Sequence, residues 1–341
     1  MALSVQTAGS TRFPTMTQVP IRRRSVFVSV LAAGLLAVGA GLYAQEQSAI
    51  YVLALDQKGA PMLDLKTSDI QIKEDAGPST IVSLQRFGWP IKVTVMVDNG
   101  PRTEDALVHY RTGLKKFFAG LPPGIPVSLI ATAPNPRWLF RDTKDKAQIE
   151  KGINLITVDQ SLGRFSDSLI EYASRLDQEF KAVEGEQLTP YLPILVTIAT
   201  THQDGSRVLR EDNAKMILSL RKFRVWTNMI MVAPGRALSE PGGLPVVDAD
   251  EGQNAAIAKV VQEATRGRYV PVTGSGTSGL SSTILPELAK EIALRYVKQM
   301  TQHRIVFQRA AGATGQMKNF SLALLNHPGA QLTVSTNGAM P

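Results

Sequence analysis

An aspartate at the end of a buried apolar run is the residue of this chain best placed to do chemistry. Residues 91–97 read as a strand covered on both faces, and Asp98-Asn99-Gly100-Pro101-Arg102 follow it directly, ahead of a helix. Open α/β sheets bind ligands at the carboxyl ends of their strands. A carboxylate there can hold a cation, take a proton or pair with a guanidinium, and Arg102 offers a guanidinium four residues on.

Other chemistry is harder to place. With no cysteine, disulfides, thiol catalysis and Cys-ligated zinc are excluded. His109, His202, His303 and His327 are scattered without HExxH or HxxE spacing, so no histidine-built metal centre is expected. No GxSxG elbow occurs, and His202 near Asp204 reads as a polar loop. Gly274-Ser275-Gly276-Thr277-Ser278-Gly279 spells GxGxxG, yet it follows the last strand of the series and lacks a ribose-binding acid downstream, so it reads as a surface loop. Trp226 sits in a strand and is expected in the core, whereas Trp138 lies in a Pro-Asn-Pro-Arg-Trp loop as a candidate exposed anchor.

The elements that must position Asp98 follow from periodicity. The formal charge is +8, but Arg12, Arg22, Arg23 and Arg24 all precede Glu46, so the remainder is too mildly basic to argue for nucleic acid. Residues 25–44 are uncharged and follow the arginine cluster, the order of an export signal. Cleavage after Ala40 or Ala44 releases the rest, and uncut the segment is long enough for a single-pass anchor. Residues 45–90 carry strand patterns at 50–55, 69–73 and 81–87. From 91 to 302 strands at 92–97, 127–131, 194–199, 226–232 and 269–272 alternate with helices at 104–119, 146–155, 167–184, 211–223, 254–265 and 284–302. That alternation predicts an α/β domain, a mostly parallel sheet with helices on both faces. Strand character returns over 303–341, and these strands are expected to pair with one another or with the N-terminal ones as a small accessory β module.

Several local texts, in order, resemble the von Willebrand factor type A domain as found in the exported bacterial "VWFA-related" group. They are Asp56-Gln57-Lys58-Gly59-Ala60-Pro61 with Leu65, Asp69-Ile70 and Glu74-Asp75-Ala76-Gly77; the Asp98 strand end; Thr265-Arg266-Gly267-Arg268-Tyr269; and the helix around Glu291–Tyr296 leading into His303–Phe307. The resemblance spans residues 48–336 and implies a Rossmann-like sheet. It also implies a Mg²⁺ or Mn²⁺ at the carboxyl edge, held by an Asp-x-Ser-x-Ser loop, a Thr from a second loop and an Asp from a third, with one position left for a partner's carboxylate.

This chain departs from that pattern. Gly100 and Arg102 stand where the two hydroxyls belong, the second loop near Leu162–Phe165 shows no clear Thr, and Thr200-Thr201 replace the third loop's acid. The expected protein is therefore an exported, non-catalytic interaction or scaffold module with a degenerate metal site and no cofactor. Its binding edge is expected at Asp98, Asn99, Gly100, Arg102, Arg164, Thr200 and Thr201, and its partner is another protein offering an acidic group. Arg102 either pairs with Asp98 or faces that partner, or else is simply a solvated residue of the first helical turn. The alternative is a working divalent-metal adhesion site with Asp98, Ser166 and Asp204 as ligands, and a hydrolase ranks below both. A membrane is involved only through residues 25–44.

Overall fold

The computed structural model describes residues 47–74, 77–181, 189–201, 204–208, 210–233, 252–273, 276–309, 320–336 and 338. The export or anchor segment lies outside them. Two six-stranded sheets organise the described residues, one antiparallel and one mostly parallel.

The first sheet is built from both ends of the sequence: β1 (Gln47–Leu55), β2 (Ile70–Glu74), β3 (Gly77–Phe87), β10 (Gln302–Gln308), β11 (Phe320–Leu324) and β12 (Gln331–Ser335). Its order is β11-β2-β3-β10-β1-β12, with every pairing antiparallel. Alternate residues Ile50, Val52, Ile70, Ile72, Ile305 and Phe307 fill its core. A buried ion pair ties β2 to the residue after β10: Arg309 Nε lies 2.9 Å from Glu74 Oε2, and Ser79 Oγ donates to the other oxygen at 2.6 Å.

The second sheet contains β4 (Ile91–Val97), β5 (Val127–Ala131), β6 (Arg137–Thr143), β7 (Leu192–Thr200), β8 (Trp226–Val232) and β9 (Arg268–Val272). Its order is β6-β5-β4-β7-β8-β9, parallel except for β6. The chain leaves β4 toward β5 and leaves β7 toward β8, so the order reverses between β4 and β7. That is the switch point at which doubly wound sheets open a crevice. Helices α1 (Leu107–Gly120), α2 (Lys146–Asn154) and α6 (Leu285–Met300) cover the face lined by Val93, Val95, Ile194 and Val196. Helices α3 (Phe165–Glu179), α4 (Arg210–Lys222) and α5 (Gln253–Thr265) cover the face lined by Met96, Leu195 and Met229.

Two local expectations change. Residues 137–143 form an antiparallel edge strand, because their apolar side chains pair across β5 through two register shifts and so show no simple alternation. Trp138 is therefore a half-buried strand residue: its Nε1 donates to Glu171 at 2.6 Å, and Arg141 and Arg175 lie over the ring. Within the GxGxxG text, Gly274 and Ser275 fall outside the described residues. Ser278 and Gly279 are already helical, and a single π-turn, Leu280–Ile284, runs on into α6.

Beneath α3 a charged cluster replaces apolar packing. Lys92 Nζ lies 3.5 Å from Asp142 and 3.4 Å from Glu179, Arg175 reaches the same two acids at 3.3 and 2.8 Å, and Tyr191 donates its hydroxyl to Glu179. Burial alone would raise the Glu179 pKa, but the Tyr191 hydrogen bond and the charges of Lys92 and Arg175 outweigh it and hold the carboxyl below the ordinary range. A group whose folded pKa is depressed contributes stability above its unfolded pKa and loses it as pH falls through the folded value. Thermal unfolding from about pH 6 to about pH 3 should thus show a steeper fall in Tm for the wild type than for Glu179→Gln; equal slopes would remove this cluster from the acid response.

Candidate functional site

Asp98 ends β4 at the switch point, and it is 4% exposed. A buried carboxylate needs donors, and four converge on it. Oδ1 accepts from the Gly100 amide at 3.0 Å and the Thr132 hydroxyl at 3.4 Å. Oδ2 accepts from the Thr200 hydroxyl at 2.6 Å and the Thr200 amide at 3.2 Å. The donors come from the β4–α1 loop, the end of β5 and the end of β7, so one side chain fixes three strand ends together.

Asn99 does the same for the loop beyond. Its amide nitrogen donates to Thr157 O at 2.9 Å and Ala133 O at 3.3 Å, and its Oδ1 accepts from the Ala133 amide at 2.9 Å. The α2–α3 connection is thereby drawn across the edge, where the Asp159 amide donates to Asn99 O and the Arg164 amide to Thr132 O. Gly163 lies directly against the carboxylate. A Cβ at Gly163 would fall inside van der Waals contact of Asp98 Oδ1 and 2.8 Å from Thr132 Oγ1, so space, not backbone conformation, demands glycine. From the far side the Gly205 amide donates to Gly163 O at 2.8 Å.

The expected binding edge is thus arranged differently from a set of surface ligands. Asp98, Asn99, Gly100, Thr200 and Thr201 are buried beneath this connection, Arg164 is half-buried, and Arg102 alone of the seven is exposed. No ion pair joins Arg102 to Asp98 among the described residues, because Gly100, Thr132 and Thr200 already occupy the carboxylate. Arg164 turns to Asp167 at 3.5 Å on its own helix.

Of the alternative metal ligands, Asp204 spends both oxygens on the first turn of α3, accepting from the Phe165 amide at 2.9 Å and the Ser166 amide at 3.1 Å. An acid at a helix N-terminus satisfies amides that otherwise lack partners and complements the dipole. Ser166 Oγ, 1% exposed, has no hydrogen-bond partner among the described residues. No group of three or more His, Cys, Asp or Glu suited to a metal occurs among the described residues.

Sequence reasoning missed four participants. Thr132 follows the last residue of β5, so the strand-end rule that selected Asp98 also applies to it. Gly163 and Asn254, whose Nδ2 donates to Thr200 O at 3.0 Å, carry no local signal. Tyr110 of α1 is fully buried with its hydroxyl unpartnered among the described residues, and burial followed by the charge of Asp98 pushes its pKa up. Because the Gly163 contact is rigid backbone on carboxylate, Gly163→Ala should cost about 1–3 kcal/mol in urea unfolding, while Gly279→Ala, whose Cβ meets only Ile284 at 3.9 Å, should be near neutral. Equal costs would show that the connection does not rest on Asp98.

No protein-family profile matches the sequence, and no curated protein matches it. Solved structures do. A von Willebrand factor type A protein from Catenulispora acidiphila is 10% identical over 77% of this chain and 70% of that chain, with a TM-score of 0.43. The protein BatB from Bacteroides thetaiotaomicron is 10% identical over 60% of this chain and 98% of that chain, at 0.41. An aerotolerance-related membrane protein from Bacteroides fragilis is 14% identical over 59% and 99%, at 0.40. At such scores the α/β assignment rests on the strand order described above, and a von Willebrand factor type A protein is among the structures to which this chain is similar.

Proposed function

We propose that this chain is an exported, non-catalytic interaction module of the von Willebrand factor type A kind, whose carboxyl edge works without a metal. One observation carries the reading: four protein donors occupy the Asp98 carboxylate. Mg²⁺ demands near-octahedral oxygen ligands, and here the loop positions that would supply hydroxyls are Gly100 and Arg102. The Thr200 hydroxyl points its proton at Asp98, and Gly163 fills the space above Oδ1. The residues do not suit the cation, and hydrogen bonds take over its task of holding the loops together.

What the edge offers a partner is then its outer layer. Arg102 is exposed, and so are Leu155 and Leu162, large apolar side chains of the α2–α3 connection. A planar guanidinium pairs bidentately with a carboxylate, so the partner is a protein presenting an acidic group. Export is read from the Arg22-Arg23-Arg24 cluster and the uncharged stretch after it.

The second reading, a divalent cation held by Asp98, Ser166 and Asp204, is favoured by the unpartnered Ser166 hydroxyl. It requires Asp204 to abandon α3. Calorimetric titration with Mg²⁺ and Mn²⁺ separates the two: the metal-free reading expects no binding tighter than about millimolar, and submillimolar binding abolished by Asp98→Ala would overturn it. Capture of a partner from the envelope fraction should be indifferent to chelator and reduced by Arg102→Ala. Loss of capture on chelation alone would support the cation.

A further inference from the structure

The two sheets treat their edges differently. In the second sheet β6 is bulged twice against β5, holds Asp142 at φ 45° and carries Arg137 and Arg141, while β9 carries Arg268 and Pro271. Bulges, charges and proline are what keep an edge from pairing with another strand. The edges of the first sheet, β11 and β12, have none of them. Their sequences, Phe320-Ser321-Leu322-Ala323-Leu324 and Gln331-Leu332-Thr333-Val334-Ser335, hold no charge and no proline, and both run in unbroken register with their inner neighbours.

These edges also flank one core. β11 and β12 stand at opposite ends of the sheet order, yet Leu322 and Leu332 pack against the same buried cluster of Ile50, Ile72 and Phe307. Only residues 325–330 join the two strands, turned by a bond from the Ala330 amide to His327 O and held at Asp69, whose carbonyl accepts from the Leu325 amide. The sheet therefore curls until its ends approach, without pairing among the described residues. The core is less well covered there: Val334 shares the face of Leu332 yet is 40% exposed, whereas Ile50 and Phe307 on inner strands are no more than 1% exposed.

We propose that the β12 edge is a strand-addition site for an extended segment of another protein, one with apolar side chains at alternate positions and no charge among them. Backbone hydrogen bonds to β12 supply affinity, and the alternate apolar side chains cover Leu332 and Val334 as a further strand of the sheet would. An uncharged edge selects an uncharged strand, since a charge placed over this core finds no partner. This surface shares no residue with the Asp98 edge.

The test titrates the full chain with a peptide copying residues 47–55, the sequence that pairs with β12 on its inner side, and follows amide exchange of residues 331–335. Saturable binding with slowed exchange across β12, weakened at least about tenfold by Val334→Lys and unaffected by Val82→Lys on central β3, is the expected result. Thr333→Pro serves as a second block acting through the backbone. Absence of saturable binding overturns the proposal. So does exchange of β12 in the free chain as slow as that of β1, which would mean the chain covers its own edge, and so does protection that grows with protein concentration, which would assign the edge to a second copy.

Discussion

A carboxylate that ends a buried strand cannot be left without donors, and the architecture of the carboxyl edge follows from that demand. Asp98 is supplied by Gly100, Thr132 and Thr200, so β4, β5 and β7 end in a fixed relation and the connections leaving them start from fixed points. Asn99, the next residue, extends the arrangement by binding the backbone at Ala133 and Thr157. Asp204 then anchors the first turn of α3 from the neighbouring connection. Amides and hydroxyls thus gather the loops around the carboxylate.

The rest of the molecule supports that edge from behind. At the amino ends of the strands, Lys92, Arg175, Asp142 and Glu179 balance one another under α3, fixing the helix whose first turn reaches Asp204. The junction between the sheets is held by hydrogen bonds from buried side chains as well as backbone. The amide of the buried Trp89 donates to Gln299 O at 3.0 Å and its indole to Thr189 O at 2.7 Å. Gln302 joins the end of α6 to Gly338 near the C-terminus through bonds of 2.6 and 2.9 Å. The step from α6, packed on the second sheet, into β10, paired within the first, thus links the two sheets.

Much of the fold was legible because long apolar runs and clear helical periods leave few alternatives. The strands 127–131 and 226–232 were located to the residue, and the helices to within a few residues of their observed ends. Where the reading failed, the competing effect is identifiable. β6 was hidden by its bulges, and Trp138 followed from that error: a Pro-rich approach looks like a loop although the next residues pair with β5. The Gly274–Gly279 text was read as a surface loop because it follows the last strand and lacks a downstream ribose-binding acid, but packing of Leu280 and Leu285 into the core carries the helix back to Ser278.

The sequence by itself determined the type of sheet, the position of Asp98 at a strand's end and the presence of Gly100 and Arg102, neither carrying a hydroxyl, just after it, since each depends on residues close in the chain. Only the tertiary structure decided what Asp98 touches. Its partners Thr132 and Thr200 lie 34 and 102 positions away, and the carboxylate's demand for donors is met by whichever groups the sheet order brings alongside. Arg102, near in sequence, stays in solvent, while Gly163, distant and unremarked, closes the site because only a residue without a side chain fits between Asp98 and Thr132.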